Sequence, residues 1–166
     1  MAYAVVRTDN LSGIIDGSKL ATAKYYVSTT PTAIENGTVL ALDSIDTSAP
    51  ERFTWKATAA GADKAADGTL ILVATPEVIK DKKYYNLDEF TNPAGGYLRG
   101  YILEQGDVFS VTGEAFTSGN APAVGNAVAL AAGGKLAKDT STPGKFAKCL
   151  KIETVGAKTF YVLRVL

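Results

Sequence analysis

Histidine is absent from this chain of 166 residues, and cysteine occurs only once, at Cys149. Without histidine, the chain lacks the one side chain that titrates near neutral pH without help from its surroundings. Catalytic sites of the Ser-His-Asp and Cys-His types are therefore excluded. A single cysteine also excludes an internal disulfide and a zinc site built from four cysteine and histidine ligands. Since Cys149 lies in an apolar-rich stretch, we expect it to be a small buried side chain.

An excess of one charge is also lacking, because 17 basic residues balance 17 acidic ones. This balance predicts a protein with no nucleic-acid partner and no membrane partner. No apolar run approaches the ~20 residues that a membrane-spanning helix needs. The N-terminus has no basic stretch followed by a long apolar core, which a signal peptide would show, so we expect synthesis in a cytoplasm.

Motifs that hold cofactors are missing or incomplete. Residues 132–136 resemble part of a phosphate-binding loop, but Ala129 stands where its first glycine is needed. Leu136 also replaces the Ser or Thr that would hold magnesium. No Ser-x-x-Lys pattern and no calcium-binding loop occur. The sequence therefore predicts no catalytic residue, no cofactor and no metal site.

Carboxylates leave one enzymatic hypothesis open, since glycosidases work with two acidic residues and no histidine. Asp88 and Glu89 are adjacent, and Asp81 and Asp107 lie elsewhere. Adjacent side chains point to opposite faces of a strand and diverge on a helical turn, so this pair does not form a dyad by itself. A carboxylate hydrolase would need two convergent acids in a cleft.

Glycine turns and short β-type runs dominate what is present, with 16 glycines in the chain. Residues 52–57 alternate polar and apolar, and residues 69–74 are continuously apolar, which are two patterns of β-strands. Helix signals are confined to one possible turn at residues 86–90. We predict a mainly β fold: a single small β-barrel or sandwich-like domain with an extended N-terminal segment and little helix. The predicted core residues are Phe53, Trp55, Leu70, Leu72, Val108, Leu130, Ile152 and Val162.

A glycine turn followed by a strand occurs in three similar stretches, residues 35–42, 104–111 and, more loosely, 125–130. In each stretch, apolar residues two apart follow the turn. One interpretation is a general turn rule used three times. The other is a small barrel whose strands each begin from such a turn.

Residues 1–33 differ from the rest, because they are turn-rich and polar with isolated apolar residues between. This stretch is either an ordinary N-terminal meander or an arm that packs only against a partner. Residues 34–166 are predicted to form the β domain. The possible partner contacts in the first stretch are Val5, Arg7, Asp9, Leu11, Ile14, Ile15 and Leu20.

Local charge is less even than total charge. Residues 133–166 contain seven basic and two acidic residues. One interpretation is a solvated strand face that pairs with acidic neighbours in the same fold. The other is a docking face for an acidic surface.

The order of several short segments resembles a family of small head proteins of tailed phages that infect Gram-positive bacteria. The resemblance rests on the order of these segments along the chain, and it extends from about residue 5 to about residue 112. The resemblance implies a non-catalytic decoration protein on the outer capsid surface of the virion, made in the host cytoplasm. It also implies binding to the major capsid protein and self-association, a trimer being one form. The segments are residues 7–13, 16–19, 35–39, 87–92, 94–96, 99–103 and 106–112.

An alternative function is a carbohydrate- or surface-binding β module of a phage fibre or tail. Such a module needs an exposed aromatic platform. The candidates are Trp55 together with Tyr84, Tyr85 or Tyr97. Because Trp55 alternates with Phe53 in a predicted strand, its pattern favours the core.

Overall fold

A computed structural model of the chain describes residues 2–48, 53–61, 68–77, 87–139 and 145–166. Strands account for 48% of the structure and helices for 11%, which confirms the mainly β prediction. The strands are β1 Val6–Asn10, β2 Leu20–Val27, β3 Thr30–Pro31, β4 Val39–Ile45, β5 Trp55–Ala59, β6 Leu70–Val73, β7 Leu98–Ile102, β8 Val108–Thr112, β9 Ala127–Leu130, β10 Leu136–Lys138, β11 Ala147–Val155 and β12 Lys158–Val165. The helical turns are α1 Ser12–Ile15 and the 3₁₀ turns Gly17–Lys19, Leu87–Glu89, Gly113–Ala115 and Ala132–Gly134.

Five strands close into a barrel in the order β2-β5-β4-β6-β7, and β7 pairs back onto β2. The β2–β5 pair is parallel, with Ala23 opposite Trp55, and the other barrel pairs are antiparallel. Closure satisfies the backbone groups that open sheet edges would leave exposed. The short β3 adds to β2 outside the closed ring.

The barrel interior is filled by one face of each strand. Leu40, Ile71 and Val73 are buried there together with small side chains such as Ala23. Gly100 of β7 makes room for Ile71, because a Cβ at Gly100 would lie 2.5 Å from Ile71 Cδ1. A narrow five-stranded barrel therefore depends on small residues opposite large ones.

A second, antiparallel sheet has the strand order β1-β8-β12-β11-β9-β10. It packs against the barrel, and the largest hydrophobic cluster lies between the two. Leu72 comes from the barrel, and Phe109, Val111 and Val128 come from the second sheet. Since side chains alternate along a strand, β6 is buried on both faces, which explains the continuously apolar run at residues 69–74.

The three glycine turns behave alike. Gly37, Gly106 and Gly125 have φ angles of 80°, 97° and 86°, and a strand begins two residues after each. Glycine adopts such angles at little cost. These turns precede β4, β8 and β9, of which only β4 belongs to the barrel. The interpretation as a single barrel of such strands is therefore wrong, and the general turn rule accounts for all three.

The N-terminal stretch belongs to the fold itself, so the interpretation as an arm that packs only against a partner is wrong. β1 pairs with β8, and β2 closes the barrel between β5 and β7. Val5 and Leu11 are buried in the chain's own core. The apolar residues of this stretch are scattered along the sequence because β1 belongs to the second sheet and β2 belongs to the barrel. The predicted boundary at residue 33 therefore does not separate an arm from a domain.

The predicted core is correct in part. Leu72 and Leu130 are buried, as is Cys149, and the remaining predicted residues except two are half-buried. Phe53 and Ile152 are exposed, so those two predictions are wrong. Phe53 precedes β5 instead of lying in it. Ile152 follows a bulge in β11, which interrupts the alternation of inward and outward side chains.

Candidate functional site

A single helical turn, α1, connects the second sheet to the barrel and is fixed by a distant carboxylate. Asp107 accepts hydrogen bonds from the Ser12 backbone N–H at 2.8 Å and from the Ser12 hydroxyl at 2.6 Å. Its other oxygen accepts the Glu104 N–H at 2.8 Å. Asp107 is buried, and hydrogen bonds to a buried carboxylate are stronger than neutral ones. They tie the turn to the loop that precedes β8.

Gly13 brings the same turn against the barrel wall. A Cβ at Gly13 would lie 2.9 Å from Tyr101 Cδ1, 3.2 Å from the Lys19 carbonyl oxygen and 3.5 Å from Leu20 Cδ2. Lys19 also forms an ion pair with Glu104. The turn is therefore held from both of its ends.

The consequence is an exposed aliphatic surface on a fixed backbone. Ile14 is 53% exposed, Ile15 is 87% exposed and the nearby Leu20 is 39% exposed. We call these three residues the aliphatic turn. Burying one such side chain against a partner contributes about 1.5–3 kcal/mol. Adjacent large aliphatic residues held in water are typical of a protein-binding surface.

The predicted partner contacts thus divide into three groups. Ile14, Ile15 and Leu20 form the aliphatic turn. Val5 and Leu11 are buried in the core and are removed from the contact set.

The third group, Arg7 and Asp9, belongs to the outer face of β1 and has partners within the chain. Arg7 pairs with Asp9 at 3.5 Å and with Glu153, and its guanidinium lies 4.8 Å from the Phe160 ring centroid. Asp9 also accepts a hydrogen bond from Ser110. The hydrogen bond to Glu153 raises the pKa of Arg7. These charges are already engaged, so a partner would have to displace internal contacts to use them.

A groove of about 550 Å³, lined mainly by residues of the barrel strands, lies beside the aliphatic turn. Phe53 and Trp55 border it with their rings 5.6 Å apart and nearly perpendicular, at 88°. This edge-to-face arrangement is favourable for aromatic pairs. We call this feature the barrel groove. Its described lining residues are Ser18, Leu20, Ala21, Thr22, Leu42, Asp43, Phe53, Trp55, Gly68, Thr69 and Ile102.

Trp55 and Tyr97, two residues of the aromatic platform predicted from the sequence, do not both line the barrel groove. Trp55 is half-buried, and Tyr97 is absent from the described lining of the groove. Lys24 Nζ lies 4.9 Å from the Tyr97 ring centroid. Tyr84 and Tyr85 lie outside the described residues. Phe53, which is 73% exposed, supplies the accessible ring instead, and the sequence pattern missed it by assigning it to the core.

Asp88 and Asp107, two of the acidic residues considered for hydrolysis, are each engaged in a separate contact. Asp107 fixes α1, and Asp88 pairs with Lys158, which lowers the Asp88 pKa. Asp81 lies outside the described residues. Asp43 is the one carboxylate among the described residues that line the barrel groove. Asp88 is the one carboxylate among the described residues that line a second cleft, beside β12. Among the residues that the structure describes, neither cleft therefore holds the pair of acids that glycoside hydrolysis needs.

A metal-binding cluster and a membrane-spanning helix are both absent from the residues that the structure describes. No group of three or more Asp, Glu or Cys side chains there is placed to hold a metal ion. No helix among those residues is both long and apolar enough to cross a membrane.

A buried ion pair lies at the end of β4. The Asp46 side chain is fully buried, and its carboxylate lies 3.0 Å from Lys24 Nζ. Asp46 also accepts the Ser48 hydroxyl at 2.6 Å and the Ser48 N–H at 3.1 Å. The hydrogen bonds from Ser48, followed by the pairing with Lys24, lower the Asp46 pKa to about 2.

The basic C-terminal stretch pairs in part with acidic neighbours. Lys135 lies 2.7 Å from Glu35, Lys151 lies 2.7 Å from Glu153, and Lys158 pairs with Asp88. Two of these acids, Glu35 and Asp88, come from the first 132 residues. The charge asymmetry of the sequence is therefore at least partly compensated within the fold.

Comparisons with protein-family models, with curated proteins and with solved structures found no match to this chain. The aliphatic turn and the barrel groove are therefore identified by their own exposure and contacts.

Proposed function

We propose that this protein is a non-enzymatic capsid decoration protein. It binds the outer surface of the major capsid protein shell of a tailed phage and stabilises that shell. Ile14 and Ile15 carry the proposal, because they are two adjacent large aliphatic residues that the fold holds in water. Such a surface suits binding to another protein.

The attachment of the turn favours binding, because a fixed backbone loses little conformational entropy when a partner covers it. Asp107 and Gly13 already impose that order in the free protein. On a capsid, many identical copies of the shell protein would each present the same docking surface. Weak contacts repeated by self-associated copies then give high avidity.

The segments that resemble phage head proteins include the parts that hold the aliphatic turn. Ser12 and Gly13 lie in residues 7–13, Tyr101 lies in residues 99–103, and Asp107 lies in residues 106–112. The segments that carry the resemblance therefore include residues that fix the aliphatic turn in place. This agreement supports a docking role at this place in the fold.

The proposal is tested on purified virions of the phage that encodes the chain. Mass spectrometry should find the protein in them, and purified protein should co-sediment with capsids that lack it. Ile15→Asp should weaken co-sedimentation at least tenfold, because a charge must be desolvated at the contact. Val124→Asp, at an exposed position in the turn before β9, should bind like the wild type. Absence from virions would overturn the proposal.

A further inference from the structure

The barrel groove combines an aromatic wall with polar groups, and it shares Leu20 with the aliphatic turn. Phe53 is 73% exposed, so its ring is accessible to a ligand. Trp55 supports it edge-to-face from the start of β5. Leu42 and Ile102 extend the apolar surface along the groove.

A β-bulge places the groove's carboxylate. The pairing of β4 with β5 shifts register between Leu42 and Ser44, so Asp43 has no partner residue across the strands. Bulges redirect side chains and are common beside binding sites. Asp43 is exposed and lines the groove together with the hydroxyl side chains of Thr22 and Thr69. The groove thus offers a strong acceptor and hydroxyls that both donate and accept.

The charge of the groove limits the class of ligand. Among the described residues that line it there is no Lys or Arg, and Asp43 contributes a negative charge. The Asp43 carboxylate repels an anionic ligand, such as a phosphate or an acidic glycan, that lies beside it. A ligand that fits needs many hydroxyl donors for Asp43 and an apolar face for Phe53. Neutral sugars have both.

We propose that the barrel groove binds a neutral, linear hexose oligosaccharide through Phe53, Trp55 and Asp43. The groove volume of about 550 Å³ lies within the usual range of ligand sites. Phe53 covers the apolar face of one sugar ring, and Asp43 accepts its hydroxyl protons. This binding would give a capsid protein a second activity, namely attachment to a glycan surface.

Tryptophan fluorescence provides a direct measurement, because Trp55 is the only tryptophan of the chain. The full chain is titrated separately with maltohexaose, cellohexaose and laminarihexaose. A saturable change in Trp55 emission with at least one of these sugars is expected. No saturable change with any of the three overturns the inference.

Variants establish that the change arises in the groove. Phe53→Ala and Asp43→Asn should each weaken binding at least tenfold, and both positions are exposed enough for the fold to tolerate them. Val124→Ala is the matched control and should bind like the wild type. Unfolding curves in urea check that each variant is folded. Unchanged affinity in both groove variants would overturn the inference.

Capsid co-sedimentation separates this inference from the proposed function. Sugar binding without capsid binding would leave the groove site standing and overturn the decoration role. Loss of capsid binding in Phe53→Ala, with no response to any sugar, would instead identify the groove as a protein-docking surface and overturn the saccharide site. Leu20 belongs to both surfaces, so it is left unchanged in these experiments.

Discussion

Asp107 accepts two hydrogen bonds from Ser12, a residue 95 positions earlier in the chain. Through this contact, the loop before β8 fixes the turn that joins the second sheet to the barrel. The exposed Ile14 and Ile15 follow directly in the chain. A single buried carboxylate thus links the stability of the fold to the geometry of the proposed docking surface.

We expect Asp107→Ala to destabilise the protein by about 2–4 kcal/mol, because it leaves the donors of Ser12 and Glu104 without their acceptor. Urea unfolding followed by circular dichroism measures the change. Asp43→Ala, at an exposed position, is the control and should change stability by less than about 0.5 kcal/mol. Equal effects of the two substitutions would contradict the role given to Asp107.

Gly100→Ala tests the packing of the barrel interior. Its Cβ would lie 2.5 Å from Ile71 Cδ1 and 2.9 Å from Ile71 Cβ, and a β-branched side chain cannot move away easily. We expect a loss of about 1–3 kcal/mol in the free energy of unfolding. Gly17→Ala, where an added Cβ meets nothing within 4 Å, should have little effect.

A second substitution shows whether Ile71 causes the strain at Gly100. Ile71→Val removes the Cδ1 atom that the new methyl group would contact. The double variant Gly100→Ala/Ile71→Val should therefore be more stable than the sum of the two single changes predicts. Additive losses would show that Cδ1 of Ile71 is not the source of the strain.

Acid stability should depend on Asp46. Its pKa is lowered to about 2 in the folded protein from an ordinary value of 3.8, so the unfolded chain takes up its proton first. The stabilisation is present above about pH 4 and is lost as the pH falls through about 2. It amounts to about 1–2 kcal/mol. The difference in unfolding free energy between the wild type and Asp46→Asn should shrink over this pH interval, and a constant difference would contradict the assignment.

Much of the fold class follows from the sequence, because it rests on local signals. The positive φ angles at Gly37, Gly106 and Gly125 need glycine, and each turn starts a strand. The division into a barrel and a second sheet does not follow, since pairing partners are distant. β2 pairs with β5 about 30 residues later and with β7 about 80 residues later, and β1 pairs with β8 about 100 residues later.

The candidate sites were predictable only in part, for a similar reason. Ile14, Ile15 and Leu20 were included among the predicted contacts. However, nothing in the local pattern distinguishes them from Val5 and Leu11, which distant strands bury. For Phe53, the alternation with Trp55 predicted burial, but the strand begins only at Trp55. Tertiary contacts decide which side chains are buried. The two-residue alternation along a strand does not contain that information.

Deletion of residues 2–28 should abolish cooperative folding. The deletion removes β1 and β2, so the barrel loses the strand between β5 and β7. It also takes Leu11 out of the main core. Circular dichroism and urea unfolding measure the result. A deleted chain that still unfolds in one sharp transition would restore the interpretation of this stretch as a separate arm.

The salt dependence of capsid binding distinguishes two candidate docking surfaces, the aliphatic turn and the basic stretch at residues 133–166. Binding through the aliphatic turn buries uncharged side chains, so it should change little as salt increases. Binding through the basic stretch at residues 133–166 relies on exposed charges such as Lys148. Their attraction is screened over ~10 Å at 0.1 M salt and ~3 Å at 1 M.

We therefore expect co-sedimentation with capsids to fall less than about threefold between ~0.1 and ~1 M sodium chloride. Lys148→Gln should bind like the wild type at both concentrations, because the docking contact does not use its charge. Ile15→Asp should bind weakly at both, since salt does not remove the cost of burying a carboxylate. A steep loss of wild-type binding with salt, together with weak binding by Lys148→Gln, would move the docking surface from the aliphatic turn to the basic stretch.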